Sequence, residues 1–146
     1  MKGRIMKGTY ILFMEAKKDI EPDVGGLGRL RMARGLYAYV GSAMGKGVSL
    51  ESRVGRHKKM AETKKGERHW HIDYFTASKG VEITGVVKII GKAMECDVAR
   101  AMVQAGATVV ERGFGSSDCG CDTHFFGITQ AVAEKFMAAM PEMFSG

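Results

Sequence analysis

The chain has 146 residues and a mass of 15.9 kDa, the size of one domain, with 45% hydrophobic and 26% charged residues. This balance excludes disordered and fibrous proteins, and a domain of this length buries about 68–70% of its unfolded surface without disulfides or metal. No apolar run reaches the roughly 18 residues of a membrane helix, and no secretory core follows Met1. Three cysteines, an odd number, argue against a disulfide framework. We therefore expect a cytoplasmic protein without membrane contact.

Three segments in the first third of the chain predict strands. The segment from Gly8 to Met14 is rich in β-branched and aromatic residues, which is typical of a buried strand. A turn signal at residues 22–26 precedes residues 27–33, whose alternating pattern predicts a half-exposed strand. The next predicted strand covers residues 36–40 and is stopped by Gly41 and Ser42.

A basic helix is predicted next. Ser49 is a candidate N-cap for a helix from Leu50 to about Lys65, followed by Gly66. One stripe of this helix carries four residues at spacings of four, three and four: Leu50, Val54, His57 and Ala61. Arg53 precedes His57 by one turn, so their side chains are neighbours at the edge of the stripe.

The second half predicts two further strands and two helices. The strands cover residues 81–90 and 108–110, and the helices cover 93–105, ended by Gly106, and 130–140, stopped by Pro141. A glycine-rich polar loop is expected at residues 113–123. These elements predict an α+β fold for a single domain over residues 1–146, with a small antiparallel-type sheet flanked by helices.

The basic residues are concentrated in the first part of the chain. Residues 1–80 hold 17 basic and 8 acidic residues, whereas residues 81–146 hold 5 and 8. Residues 53–68 alone carry seven basic and two acidic side chains. Clustered Lys and Arg residues gain affinity for a polyanion by releasing phosphate counterions, which indicates a nucleic-acid partner. A solvated helix face without any partner is the alternative.

Five residues offer the chemistry of phosphodiester hydrolysis: Tyr10, Tyr39, Arg53, His57 and Glu95. Such a reaction needs a base for water, a cation for the developing phosphate charge and a carboxylate for a metal. Each residue also has a simpler interpretation. The tyrosines suit core packing, Arg53 a surface ion pair, His57 a satisfied buried histidine, and Glu95 the first turn of a helix without metal.

The phrases around these residues resemble the GIY-YIG nuclease superfamily over about residues 7–126. They are Gly8-Thr9-Tyr10, Tyr39-Val40-Gly41, Arg53 with His57, and Glu95. Three further phrases resemble a little-characterised branch of the superfamily: YAYVGSA at residues 37–43, HWHIDY at 69–74 and GFGSSDCGC at 113–121. The usual nucleases place the two tyrosine motifs close together, whereas 28 residues separate Tyr10 from Tyr39 here, which implies an inserted hairpin. Many of them use a late Asn, a residue type that this chain lacks.

The resemblance implies a metal-dependent endonuclease. Tyr10, Tyr39 and His57 would activate or orient water, Arg53 would stabilise the phosphate, and Glu95 would hold one Mg²⁺ or Mn²⁺. We expect a nucleic-acid partner, DNA rather than RNA. Flanking phosphates would be held by five basic residues of the helix and its C-terminal end: Arg56, Lys58, Lys59, Lys64 and Lys65. The competing hypothesis is a non-catalytic nucleic-acid-binding or accessory module that keeps the nuclease fold.

The cysteine-rich motif near residue 120 and Trp70 can each be interpreted in two ways. Cys119, Cys121 and His124 could bind zinc, completed by Cys96, His69 or His71, and such a zinc-stabilised interaction domain is a third hypothesis. A turn holding two reduced cysteines is preferred, because the spacing is not a common zinc pattern. Trp70 could stack on a base or anchor the core.

Overall fold

Five strands form one antiparallel sheet. The computed structural model describes residues 6–114 and 123–144, with side chains as far as residue 138. The strands are β1 Gly8–Ala16, β2 Gly35–Ala43, β3 Val81–Ile90, β4 Thr108–Val109 and β5 Phe125–Ile128, in the spatial order β3-β1-β2-β5-β4. β1 therefore lies between β2 and β3, and β3 forms an edge of the sheet.

The described part of the chain also forms four α-helices: α1 Leu50–Thr63, α2 His71–Thr76, α3 Glu95–Gln104 and α4 Gln130–Phe144. The predicted cap of α1 is confirmed, since the Ser49 hydroxyl accepts a hydrogen bond from the Ser52 N–H at 3.0 Å. The helix ends when Lys64 adopts a left-handed conformation, with φ of 63°. The last helical residue, Thr63, is two residues before the predicted end near Lys65.

The alternation of side chains along the strands builds a core on each face of the sheet. On one face, Tyr10 and Leu12 of β1 belong to a buried cluster with Leu50 of α1 and Phe75 of α2. On the other face, Ile11 and Phe13 pack with residues of α3 and α4: Val98, Ala99, Met102, Val132, Ala133 and Phe136. The predicted α+β class, a sheet flanked by helices, is confirmed.

The inserted segment between β1 and β2 is a loosely paired hairpin. Isolated antiparallel bridges join Ile20 to Met32 and Asp23 to Arg29, and a 3-10 turn covers Gly25–Leu27. The predicted strand over residues 27–33 is therefore wrong. Met32 is buried in the core cluster, so this segment is held by contacts at single residues rather than by a continuous ladder.

Other boundaries differ from the predicted ones for local reasons. β2 continues through Gly41 and Ser42 instead of stopping there, because Gly41 pairs with Tyr10 in the ladder. Helix α4 includes Pro141, which removes a backbone donor without ending the helix. The six-residue helix α2 and strand β5 were not predicted. Residues 115–122 of the predicted glycine-rich loop lie outside the described residues.

The length and apolarity of the helices decide whether any of them could span a membrane. Among the residues that the structure describes, no helix combines the length and apolarity needed to traverse a bilayer.

Candidate functional site

A hydrogen bond joins β1 to α1 at the centre of the site. The Tyr10 hydroxyl lies 2.7 Å from His57 Nε2, although the two residues are 47 positions apart in the chain. Both side chains are buried, with 2% of Tyr10 and none of His57 exposed. Tyr39 completes the cluster, with its ring centroid 6.5 Å from that of Tyr10 and 6.1 Å from that of His57. Three predicted site residues therefore meet.

Gly41 explains the close packing of the Tyr10 ring. A Cβ atom built at Gly41 would lie 2.5 Å from both Cζ and Oη of Tyr10, inside van der Waals contact. The glycine of the Tyr-Val-Gly phrase is therefore required by the first tyrosine, on the neighbouring strand, rather than by a turn.

Burial keeps all three side chains of the cluster neutral near pH 7. Removal from water raises the pKa of Tyr10 and of Tyr39 well above the ordinary value of 10, since a buried phenolate is poorly solvated. The Arg53 guanidinium lowers the pKa of Tyr10 by charge and hydrogen bonding, but burial outweighs it. Burial also lowers the pKa of His57, to about 4, against the attraction of the Asp73 carboxylate.

The position of Asp73 assigns the hydrogen on the His57 ring. Asp73 Oδ1 lies 4.0 Å from His57 Nδ1, a buried atom without a hydrogen-bond partner among the described residues. A carboxylate favours the ring N–H on the side that faces it, so Nδ1 carries the proton of the neutral ring. Nε2 is then the acceptor, and Tyr10 donates its hydroxyl hydrogen.

Asp73 is a site residue that the sequence analysis missed. Its fully buried carboxylate accepts two hydrogen bonds from Arg56, at 2.8 and 3.0 Å, and backbone N–H bonds from His69 and Trp70 at 2.7 and 3.0 Å. Burial raises its pKa, but these hydrogen bonds more than offset it and leave the pKa below 3.8. The available signal was its place three residues after Trp70, the N3 position of α2.

Trp70 organises the two arginines of α1. The guanidinium carbons of Arg53 and Arg56 lie 4.5 and 4.6 Å from the centre of its ring. Its ring centroid is also 6.0 Å from that of His57. Trp70 is half-buried and packs against the core cluster, which agrees better with the core-anchor interpretation than with base stacking. It also makes cation–π contacts with both arginines.

Arg53 and Glu95 form the more exposed rim of the site. Arg53 is partly buried and its Nη1 donates to the Ser42 carbonyl at 3.2 Å, which directs its guanidinium toward β2. Glu95 opens α3, with 34% of its side chain exposed and its Oε2 3.7 Å from His124 Nδ1. Its charge raises the pKa of both cluster tyrosines. Contacts therefore join Tyr10, Tyr39 and His57, Arg53 acts on Tyr10 by charge and hydrogen bonding, and Glu95 acts on the two tyrosines through its charge.

Of the two predicted metal sites, the described residues include all of the Glu95 site but only part of the zinc site. Glu95 offers carboxylate oxygen, the donor that Mg²⁺ and Mn²⁺ prefer, on a partly exposed side chain. Within residues 6–114 and 123–144, no three His, Cys, Asp or Glu side chains are grouped as metal ligands. Cys119 and Cys121 of the predicted zinc site lie outside the described residues.

The five predicted phosphate-binding residues fall into two groups. Arg56 is engaged by Asp73 and by the Glu67 carbonyl, and Lys64 donates to the carbonyls of Thr76 and Val81 at 3.0 and 2.7 Å. The side chains of the other three are exposed: Lys58, Lys59 and Lys65. Helix α1 and the two lysines that follow it therefore present fewer available cations than the sequence suggests.

Comparison with known proteins identifies a family of unknown function. A family model described as a domain of unknown function, DUF123, matches residues 9–145. The chain belongs to the DUF123 family. No curated protein and no solved structure matches this member of DUF123. Because the DUF123 match begins one residue before Tyr10, it includes every residue of the site described above.

Proposed function

We propose that this DUF123 protein is a GIY-YIG-like endonuclease that binds nucleic acid, DNA rather than RNA, and hydrolyses its phosphodiester backbone with one divalent cation. The observation that carries the proposal is the 2.7 Å contact between Tyr10 and His57, with Arg53 and Glu95 at its rim. A proton-transfer pair, a cation for phosphate and a metal-type carboxylate in one neighbourhood match the needs of this reaction.

The geometry supports a role for each side chain. Arg53 binds the scissile phosphate and stabilises its developing negative charge. Tyr10 acts as a neutral phenol, because its raised pKa disfavours the phenolate. It therefore orients the attacking water, accepts a proton from it and at the same time donates its own hydroxyl hydrogen to Nε2 of His57, to which it is already hydrogen-bonded. Tyr39 packs beside this pair and shields it from bulk water.

Glu95 is the residue that would hold Mg²⁺ or Mn²⁺. When bound, the cation supplies Lewis-acid stabilisation of charge on the phosphate oxygens. A hard cation needs few protein ligands when waters and substrate phosphate complete its shell, so a single carboxylate suffices.

A binding module without turnover is the second candidate. It is favoured by the burial of the proton-transfer pair, since Tyr10 is 2% exposed and His57 is fully covered. In that case the cluster stabilises the packing of α1 on the sheet, and Arg53 with the exposed lysines binds the polyanion.

Plasmid nicking with Mg²⁺ or Mn²⁺ tests the proposal. We expect nicking that is lost in EDTA, and a decrease of at least about 10²-fold in Arg53→Gln and in Glu95→Gln. Asp97→Asn is the matched control, since Asp97 lies in the same first turn of α3 and is exposed. Salt-sensitive binding without cleavage of any DNA or RNA form would support the binding module instead.

A further inference from the structure

A groove runs between α1 and the edge strand β3. The part of it nearest the site has a volume of about 500 Å³ and is lined by Lys58 of α1 and by residues 83–86 and Lys88 of β3. A second part, of about 580 Å³, shares Lys58 and Ile83 and continues toward the start of β3. The two lysines therefore stand on opposite walls, one on the helix and one on the strand.

The ladder between β1 and β3 fixes Lys88 beside the site. Lys88 is the register partner of Tyr10, so both side chains leave the same face of the sheet with Cβ atoms about 4.5–5.5 Å apart. Lys58 directly follows His57 on α1. Lys88 therefore lies across the ladder from Tyr10, and Lys58 is the chain neighbour of His57 on the helix wall of the groove.

Arg53 and Lys88 lie on opposite sides of β1. Arg53 contacts the Ser42 carbonyl of β2, and Lys88 belongs to β3. Two strand spacings separate β2 from β3, about 10 Å. Along one strand of a duplex, phosphates recur at about 3.4 Å of helix axis, so this distance corresponds to a few nucleotides.

Positive charge is concentrated at the Lys58–Lys88 end of the groove. Of the described residues that line this part, two are lysines and none is acidic. Neither lysine has an ion pair among residues 6–114 and 123–138. The second part is also lined by Glu62 and Glu82, of which Glu82 pairs with Lys17 at 3.1 Å, so positive charge is less concentrated there.

We propose that Lys58 and Lys88 form a second phosphate site, which holds the nucleic-acid backbone a few nucleotides from the phosphate at Arg53. The inference rests on the proposed nucleic-acid function and deepens it by adding a residue of β3. The two lysines act here as point charges that bind the non-bridging oxygens of one phosphate or of two successive phosphates, without reading base sequence.

Salt-dependent binding of a DNA duplex in EDTA tests the site without requiring cleavage. A plot of log affinity against log salt loses about 0.9 in slope for each phosphate contact removed. We expect this decrease in Lys88→Gln and in Lys58→Gln, with unchanged thermal unfolding. Lys135→Gln is the matched control, because Lys135 is exposed on α4, which packs on the other face of the sheet.

The outcomes separate this site from the proposed function. If the wild-type protein binds duplex with a clear salt dependence and neither lysine variant changes the slope, the second phosphate site is wrong and the nuclease proposal stands. An equal decrease in Lys135→Gln would indicate diffuse charge and also overturn the site. If the wild-type protein binds no duplex, single strand or RNA, both proposals fail.

Discussion

The charge on His57 is decided by two opposing environments. Burial of the ring favours the neutral form, the Asp73 carboxylate favours the imidazolium, and the guanidinium groups of Arg56 and Arg53 oppose it. Burial with the two arginines outweighs the carboxylate and lowers the pKa of His57 from 6.5 to about 4. The neutral ring is the form that can accept the Tyr10 hydroxyl hydrogen, so the proposed proton path depends on this balance.

This pKa makes the folded protein sensitive to acid in a defined window. The unfolded chain binds a proton at His57 near pH 6.5, whereas the folded chain does so only near pH 4. The stabilisation is therefore fully present above pH 6.5 and is lost as the pH falls to 4. At about 1.36 kcal/mol for each tenfold difference in proton affinity, it amounts to about 3 kcal/mol. The pKa of Asp73 is held below 3.8, so the stability that its carboxylate contributes is lost only at lower pH.

Urea unfolding between pH 7.5 and 4 measures this contribution. We expect the wild-type free energy of unfolding to decrease by about 3 kcal/mol more than that of His57→Gln, in which the titrating ring is absent. Titration of the His57 ring by NMR provides a second measurement on the wild-type protein alone. A ring midpoint at pH 6.5 or above, or equal pH dependence in the two proteins, would refute the argument.

Two further substitutions test the packing around the site. Gly41→Ala puts a methyl group 2.5 Å from the tyrosine ring on the neighbouring strand, so thermal unfolding should report a loss of about 1–3 kcal/mol. Gly55→Ala, in open space on α1, should instead stabilise by about 1 kcal/mol, and a similar result for both would contradict the packing argument. Asp73→Asn leaves the Arg56 cation without its buried partner and should cost about 3 kcal/mol in urea unfolding. Exposed Asp97→Asn should change stability by less than about 0.5 kcal/mol, and an equally small effect of Asp73→Asn would show that the ion pair adds little.

Local sequence signals were sufficient for the long elements of the fold. The β-branched runs at β1 and β3 and the serine cap of α1 predicted these elements nearly to their ends. Gly41 was misinterpreted as a stop, because its role is to make room for a ring on another strand, which no local pattern records. The short helix α2 was missed because six residues carry too little periodicity to detect.

The sequence analysis selected candidate residues that the fold brings together, but it did not predict the contacts between them. Tyr10, His57 and Arg53 were selected through motif resemblance, and their neighbourhood follows from the pairing of β1 with β2 and the packing of α1. Asp73 escaped notice because a lone aspartate in a helix is common, and only its burial against Arg56 distinguishes it. Register alone brings Lys88 to Tyr10, and register cannot be derived from the charge pattern of β3.

The basic run of α1 therefore overstates the charge available to a polyanion. Arg53 and Arg56 are three positions apart and lie against the same Trp70 ring, yet within residues 6–114 and 123–138 only Arg56 has a carboxylate partner. Asp73 neutralises Arg56, whereas Arg53, beside Tyr10, has no carboxylate partner among the described side chains. Lys88, outside the basic run, adds a cation on the other side of that tyrosine. The cationic face is thus set by ion pairing and strand register, and the proposed phosphate-binding surface centred on Tyr10 depends on both.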